Sequence, residues 1–161
     1  MVGGRAEVLE RVRPLLAASG RLIVHVGGHG AGQAAKLCNN LVAGVTMAAL
    51  AEACAVAERE GIDPATLYEL LSASTGDSRV LRNRFPLAGV DPAHPSSRQW
   101  EPLFALDLIA KDLALAEELA REHGVEPALT RAALAAYARA REEGLGALDY
   151  SAVFVSMRAV E

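Results

Sequence analysis

Gly27-Gly28-His29-Gly30-Ala31-Gly32-Gln33-Ala34-Ala35-Lys36-Leu37-Cys38-Asn39-Asn40 is the stretch on which the fold turns. Before it, Leu22-Ile23-Val24-His25-Val26 reads as a short buried strand, and after it the chain runs to Glu60 without a proline. Strand, glycine-rich turn and long helix therefore follow one another. Gly30-Ala31-Gly32-Gln33-Ala34-Ala35 also fits G-x-G-x-x-A, the dinucleotide fingerprint. That motif needs a second parallel strand after its helix, whereas here Gly61 ends the helix and Asp63-Pro64 opens another. The glycines are better explained as the turn that lets a strand pass sharply into a tightly packed helix.

Upstream, Val8, Leu9, Val12, Leu15 and Leu16 mark a helix over Glu7 to Ala18, stopped at Gly20. No other convincing strand follows, and one strand cannot satisfy its own backbone, so this α/β piece needs a sheet that the sequence does not supply. Downstream the pattern is helical. Helices are expected from Ala31 to Glu60, Asp63 to about Ala73, Asp77 to Arg84, Leu103 to His123, Pro127 to about Glu143, and from an Asp149 cap to Arg158. Pro86, Pro92, Pro95 and Pro102 mark a long ordered loop between Phe85 and Pro102. The expected fold is mainly all-α, about six helices preceded by a short α/β remnant.

Composition agrees. Of 161 residues, 52% are apolar but only 4% aromatic, so the core must be assembled mostly from Ala, Leu and Val, which suits close helix packing. A net charge of −4 with interspersed signs leaves no electrostatic footprint for nucleic acid. Leu22 to Ala51 is neutral apart from Lys36, but its glycines, histidines and asparagines make it a poor membrane span, and no secretory signal opens the chain. Cys38 and Cys54 lie too far apart on one helix for a disulfide and are expected as free buried thiols. A cytoplasmic setting follows.

Lys36 is the only formally charged residue between Arg21 and Glu52. A lysine so placed either snorkels to solvent or is held in a cleft. Asn40, one turn on, shares its helix face, and a cleft lysine beside a carboxamide can exchange a proton with a hydroxyl that the amide holds. Taken alone, Asn39 and Asn40 also fit ordinary helix-surface hydrogen bonding, and Lys111-Asp112 fits a solvated charge pair.

The run Gly-x-Gly-x-Gly-x-x-x-Lys-x-x-Asn-Asn, Gly28 to Asn40, resembles the substrate-site signature of the β-hydroxyacid dehydrogenases of the 3-hydroxyisobutyrate dehydrogenase type. Phe104-Ala105-Leu106-Asp107-Leu108-Ile109-Ala110-Lys111-Asp112-Leu113 resembles that family's later segment, and the 75-residue separation of Lys36 and Lys111 agrees. The resemblance extends from Val2-Gly3-Gly4 to Asp149-Tyr150-Ser151-Ala152-Val153. It implies a C-terminal helical domain of the 6-phosphogluconate dehydrogenase-like type. It also implies roles: Lys36 as the general acid/base, Asn40 as the substrate-holding asparagine, Lys111 as a lysine reaching NAD or NADP, and Phe104 and Asp112 as residues lining the same cleft, with no metal.

Residues 1–28 are then expected as the end of a Rossmann domain and 29–161 as the substrate and dimerisation domain. The family's complete Rossmann domain and its Ser-Gly-Gly segment have no counterpart in the sequence, so Met1 reads as an internal methionine of a longer protein. The implied reaction is oxidation of a small 3-hydroxy acid, or reduction of its semialdehyde, by a homodimer or higher homo-oligomer, with the chain alone inactive. Two other classes fit the same residues, a reductase of the same superfamily acting on imines or another hydroxyacid, and a non-catalytic helical oligomerisation module.

Overall fold

The computed structural model describes residues 1–158. Its order is β1 (Val2–Gly3), α1 (Ala6–Ala17), β2 (His25–Gly27), α2 (Ala31–Arg59), α3 (Pro64–Ala73), α4 (Arg79–Arg84), α5 (Leu106–Glu122), α6 (Ala128–Glu142) and α7 (Val153–Arg158). The chain divides into two compact units between Asn40 and Leu41.

In the first unit β1 and β2 pair in parallel, Val2 opposite His25 and Gly3 opposite Gly27, with α1 as the crossover. The Val2 N–H donates to Val24 O and the Gly4 N–H to Gly27 O, both at 2.8 Å. This corrects two expectations. A second strand exists, in the two residues Val2–Gly3, too short to show any alternation. The strand expected over Leu22 to Val26 starts only at His25 and runs to Gly27, since no strand lies beside Leu22, which is 80% exposed. Leu9 is the buried residue of α1, while Val8, Val12 and Leu15 are exposed.

The second unit is helical. At about 1.5 Å per residue, the 29 residues of α2 extend about 43 Å. By length and composition α2 could cross a membrane. Its Met47, Ala51, Cys54 and Ala57 instead belong to a protein core shared with Leu81, Phe85, Leu106, Ile109, Leu113, Tyr137 and Val153. Gly44 permits close packing here: a Cβ on it would lie 2.9 Å from Leu113 Cδ1. The Tyr137 hydroxyl, fully buried, donates to Gly44 O at 3.0 Å.

Helix ends follow local chemistry. Asp63 caps α3 by accepting from the Thr66 N–H at 2.9 Å, and Ser78 caps α4 by accepting from the Leu81 N–H at 3.0 Å. Ser78 thus starts α4 slightly later than the expected Asp77. Gly61, at φ +72°, ends the long helix, and the Ile62 N–H returns to Ala57 O at 2.9 Å. The proline-rich loop is ordered: Pro95–Arg98 forms a 3-10 turn, and the buried Ser96 hydroxyl donates to Phe85 O at 2.7 Å.

Of the two thiols, Cys54 is fully buried but Cys38 is exposed, which corrects the expectation of two buried ones. Loss of hydration pushes the Cys54 thiol from its ordinary value up to about 12, with a smaller contribution from Glu58. A thiol whose folded pKa is raised stabilises the fold below its unfolded value near 9, and that contribution is lost as pH climbs toward 12. Two outcomes follow. Native protein at pH 8 should release one equivalent of thionitrobenzoate from dithiobis(nitrobenzoate), from Cys38, and two in denaturant. Tyr137→Phe should cost about 1 kcal/mol in urea unfolding, the usual worth of a buried hydrogen bond; an unchanged midpoint would remove the Gly44 contact from the account.

Candidate active site

The turn into α2 brings two backbones unusually close. Gly30 takes φ +84°, a left-handed conformation that glycine adopts without strain. A Cβ on Gly3 would lie 2.6 Å from Gly28 O and 2.7 Å from Gly32 N, and one on Gly32 would lie 2.9 Å from Gly3 N. The glycines therefore let β1 abut the first turn of α2. The fingerprint's second strand is absent among the described residues, since α2 leads directly to α3.

Lys36 stands in the second turn of α2, half-buried. With Gly3, Gly30, Gly32, Met1 and Val2 it borders an open cleft of about 530 Å³. Asn40 is half-buried on the same helix face, one turn on, and its Oδ1 accepts from Asn39 Nδ2 at 3.1 Å, which orients the carboxamide. An ammonium and an oriented amide so spaced can hold one hydroxyl and exchange its proton.

In the second unit, Phe104 precedes α5 rather than lying inside it, a correction to the helix expected from Leu103. The cause is Asp149: the Leu103 and Phe104 N–H groups donate to its carboxylate at 3.0 and 3.1 Å, and Ala105 pairs with it as an isolated bridge, so the chain stays extended until Leu106. The Phe104 ring meets Tyr150 edge to face at 6.2 Å. Burial raises the Tyr150 phenol pKa, against a lowering by Arg84, whose guanidinium carbon stands 5.0 Å from the ring centre.

Lys111 and Asp112 are unlike partners. The Lys111 side chain is 60% exposed, that of Asp112 only 2%, and Lys111 Nζ stands 3.3 Å from Asp112 Oδ1. Lys111 borders a groove of about 300 Å³ between α5 and α6 with Asp107, Leu134 and Arg141. An exposed ammonium here has the sign that a polyanionic dinucleotide requires. Among the described residues no cluster of His, Cys, Asp or Glu is suited to a metal. The structure thus pairs Lys36 with Asn40 in one unit, and Lys111 with Asp112 in the other. Asp149, taken from sequence as a helix cap only, is the residue that sequence reasoning missed; the cap it supplies, to the Ser151 N–H, concealed its longer-range bonds.

A family model described as NAD-binding of NADP-dependent 3-hydroxyisobutyrate dehydrogenase matches residues 30–156. The chain belongs to the 3-hydroxyisobutyrate dehydrogenase family. It is 42% identical to a 3-hydroxyisobutyrate dehydrogenase of Pseudomonas aeruginosa, over 95% of this chain and 52% of that protein. It is 40% identical to an NAD-dependent L-serine dehydrogenase of the same organism, over 95% of this chain and 51% of the relative. A solved structure of Mycobacterium tuberculosis 3-hydroxyisobutyrate dehydrogenase with L-serine superposes with a TM-score of 0.93 at 36% identity, covering 99% of this chain and 54% of that one. The chain spans about half the length of the relatives it matches. Its mainly helical fold with a short α/β part is that of the matched half of 3-hydroxyisobutyrate dehydrogenase-type structures.

The close approach at the cleft gives a direct test. Gly3→Ala should destabilise the first unit by about 1–3 kcal/mol, since a backbone cannot move aside as a side chain can. The Val2 and Gly4 amides should exchange faster with deuterium in the variant; unchanged exchange would show that the cleft wall tolerates a methyl group.

Proposed function

We propose that this chain supplies the helical, lysine-bearing part of an NAD(P)-dependent dehydrogenase of short 3-hydroxy acids, working on 3-hydroxyisobutyrate, on L-serine, or in reverse on the matching semialdehyde. The observation that carries this is the placement of Lys36 and Asn40 on one face of α2, one turn apart, both half-buried. L-serine is itself a 3-hydroxy acid, so the two Pseudomonas relatives and the Mycobacterium structure agree on substrate class. Residues 1–28 are assigned to the end of a Rossmann domain and 29–161 to the substrate and dimerisation domain.

Lys36, as the neutral amine, accepts the hydroxyl proton, and as the ammonium it returns that proton in the reverse direction. Asn40 holds the same hydroxyl by hydrogen bonding. Phe104 and Asp112 face the substrate, and Lys111 contacts NAD or NADP. When bound, the dinucleotide supplies the hydride acceptor. The residues here orient the hydroxyl and handle its proton, since a reacting carbon must be held about 3–3.5 Å from its partner.

A homodimer or larger homo-oligomer through the helical part completes this reading, with Val42 and Val56 exposed on α2 and open to contact. An exposed Cys38 and a buried, free Cys54 suit a reducing, cytoplasmic setting.

The test is a hybrid in which the upstream part of the Mycobacterium tuberculosis relative precedes this chain. It should oxidise 3-hydroxyisobutyrate or L-serine with NAD or NADP, and Lys36→Ala should lower kcat by about 10²–10⁴-fold with the fold intact. The chain alone should show no turnover. A folded hybrid that binds NADH or NADPH and oxidises no short 3-hydroxy acid would overturn the hydroxyacid reading.

A further inference from the structure

Asp149 has no exposed surface, yet its carboxylate collects five donors. Oδ2 accepts from the Leu103 N–H at 3.0 Å, the Phe104 N–H at 3.1 Å and Arg84 Nε at 3.3 Å; Oδ1 accepts from the Ser151 N–H at 3.1 Å and the Ser151 hydroxyl at 2.6 Å. Such a set suits only a group that accepts on both oxygens. An asparagine of the same shape would turn an NH₂ toward N–H donors on one side or the other.

One of the bonds on Oδ2 belongs to a residue held at several further points. Besides its N–H on Asp149, Phe104 has its carbonyl oxygen bonded by the Tyr150 N–H at 3.0 Å, and its ring rests edge-on against Tyr150. Both polar backbone atoms and the ring of Phe104 are thereby held by the consecutive residues 149 and 150. The Asp149 N–H in turn donates to Trp100 O at 2.9 Å, where Gln99 and Trp100 take φ +53° and +61°. A loop passing through two left-handed residues has little intrinsic preference for that path; backbone bonds at Trp100 hold it there, and the carboxylate takes over at Leu103 and Phe104.

We propose that Asp149 is a positioning residue for the hydroxyacid site: its buried carboxylate, by binding the Leu103 and Phe104 amides, fixes the Phe104 ring on the substrate side. This rests on the assignment of Phe104 to the substrate given above. Ser151 provides the contrast, because it binds the same carboxylate through Oδ1 and leaves the Phe104 side untouched.

Asp149→Asn and Ser151→Ala are compared in the hybrid and in this chain alone. In the hybrid, Asp149→Asn should raise KM for L-serine or 3-hydroxyisobutyrate about tenfold with KM for the dinucleotide held within about twofold, whereas Ser151→Ala should lower only the melting temperature. In this chain, Asp149→Asn should speed exchange of the Phe104 amide about tenfold and Ser151→Ala should not. Loss of thermal stability with neither KM nor Phe104 exchange altered would overturn the proposal, leaving Asp149 a fold-stabilising residue only. If the unsubstituted hybrid turns over nothing, the functional reading fails on its own, and equal Phe104 exchange in both variants would still reject the positioning role. If Asp149→Asn does not fold, couplings across the hydrogen bonds from the Leu103 and Phe104 N–H groups to the Asp149 carboxylate, measured by NMR in the unsubstituted chain, decide: their presence is expected, and their absence contradicts it.

Discussion

Burial of the middle of α2 is the constraint on which the rest depends. Met47, Ala51 and Cys54 have no exposed surface, and that packing, more than intrinsic propensity, stabilises the helix. Close approach is possible because Gly44 offers no side chain to Leu113 and because its carbonyl takes the Tyr137 hydroxyl as an additional partner. Lys36, in the first unit, owes its local placement to the glycine turn that feeds α2 from β2.

Much of this was legible in the residues. The helix over Ala31 to Arg59, the Asp63-Pro64 start of α3 and the Asp149 cap follow from periodicity and capping chemistry, which act locally and leave marks in sequence. What was not legible is what depends on remote partners. β1 holds two residues and exists only because His25–Gly27 lies beside it. The start of α5 moved from Leu103 to Leu106 because a carboxylate over forty residues on captures the intervening N–H groups. Cys38 and Cys54 lie 16 residues apart on α2, about 160° around its axis, so only one of them meets the core.

The same division holds for the candidate site. Lys36 and Asn40 share a face because their spacing is four, a fact of helix geometry that sequence alone supplies. The asymmetry of Lys111 and Asp112, one in solvent and one enclosed, follows from which face of α5 meets the core, with Leu106, Ile109, Ala110 and Leu113 buried around them. Membership of the 3-hydroxyisobutyrate dehydrogenase family supports the hydroxyacid chemistry proposed above, in which Lys36 is assigned the proton.

The most direct measurement of the central claim is a crystal structure of the hybrid with L-serine bound. The account predicts the substrate hydroxyl within hydrogen-bond reach of Lys36 Nζ, about 2.6–3.2 Å, with the Asn40 carboxamide on the same oxygen. L-serine bound with its carboxylate on Lys36 and its hydroxyl elsewhere would make the lysine an anion-binding residue, and would contradict its role in proton transfer.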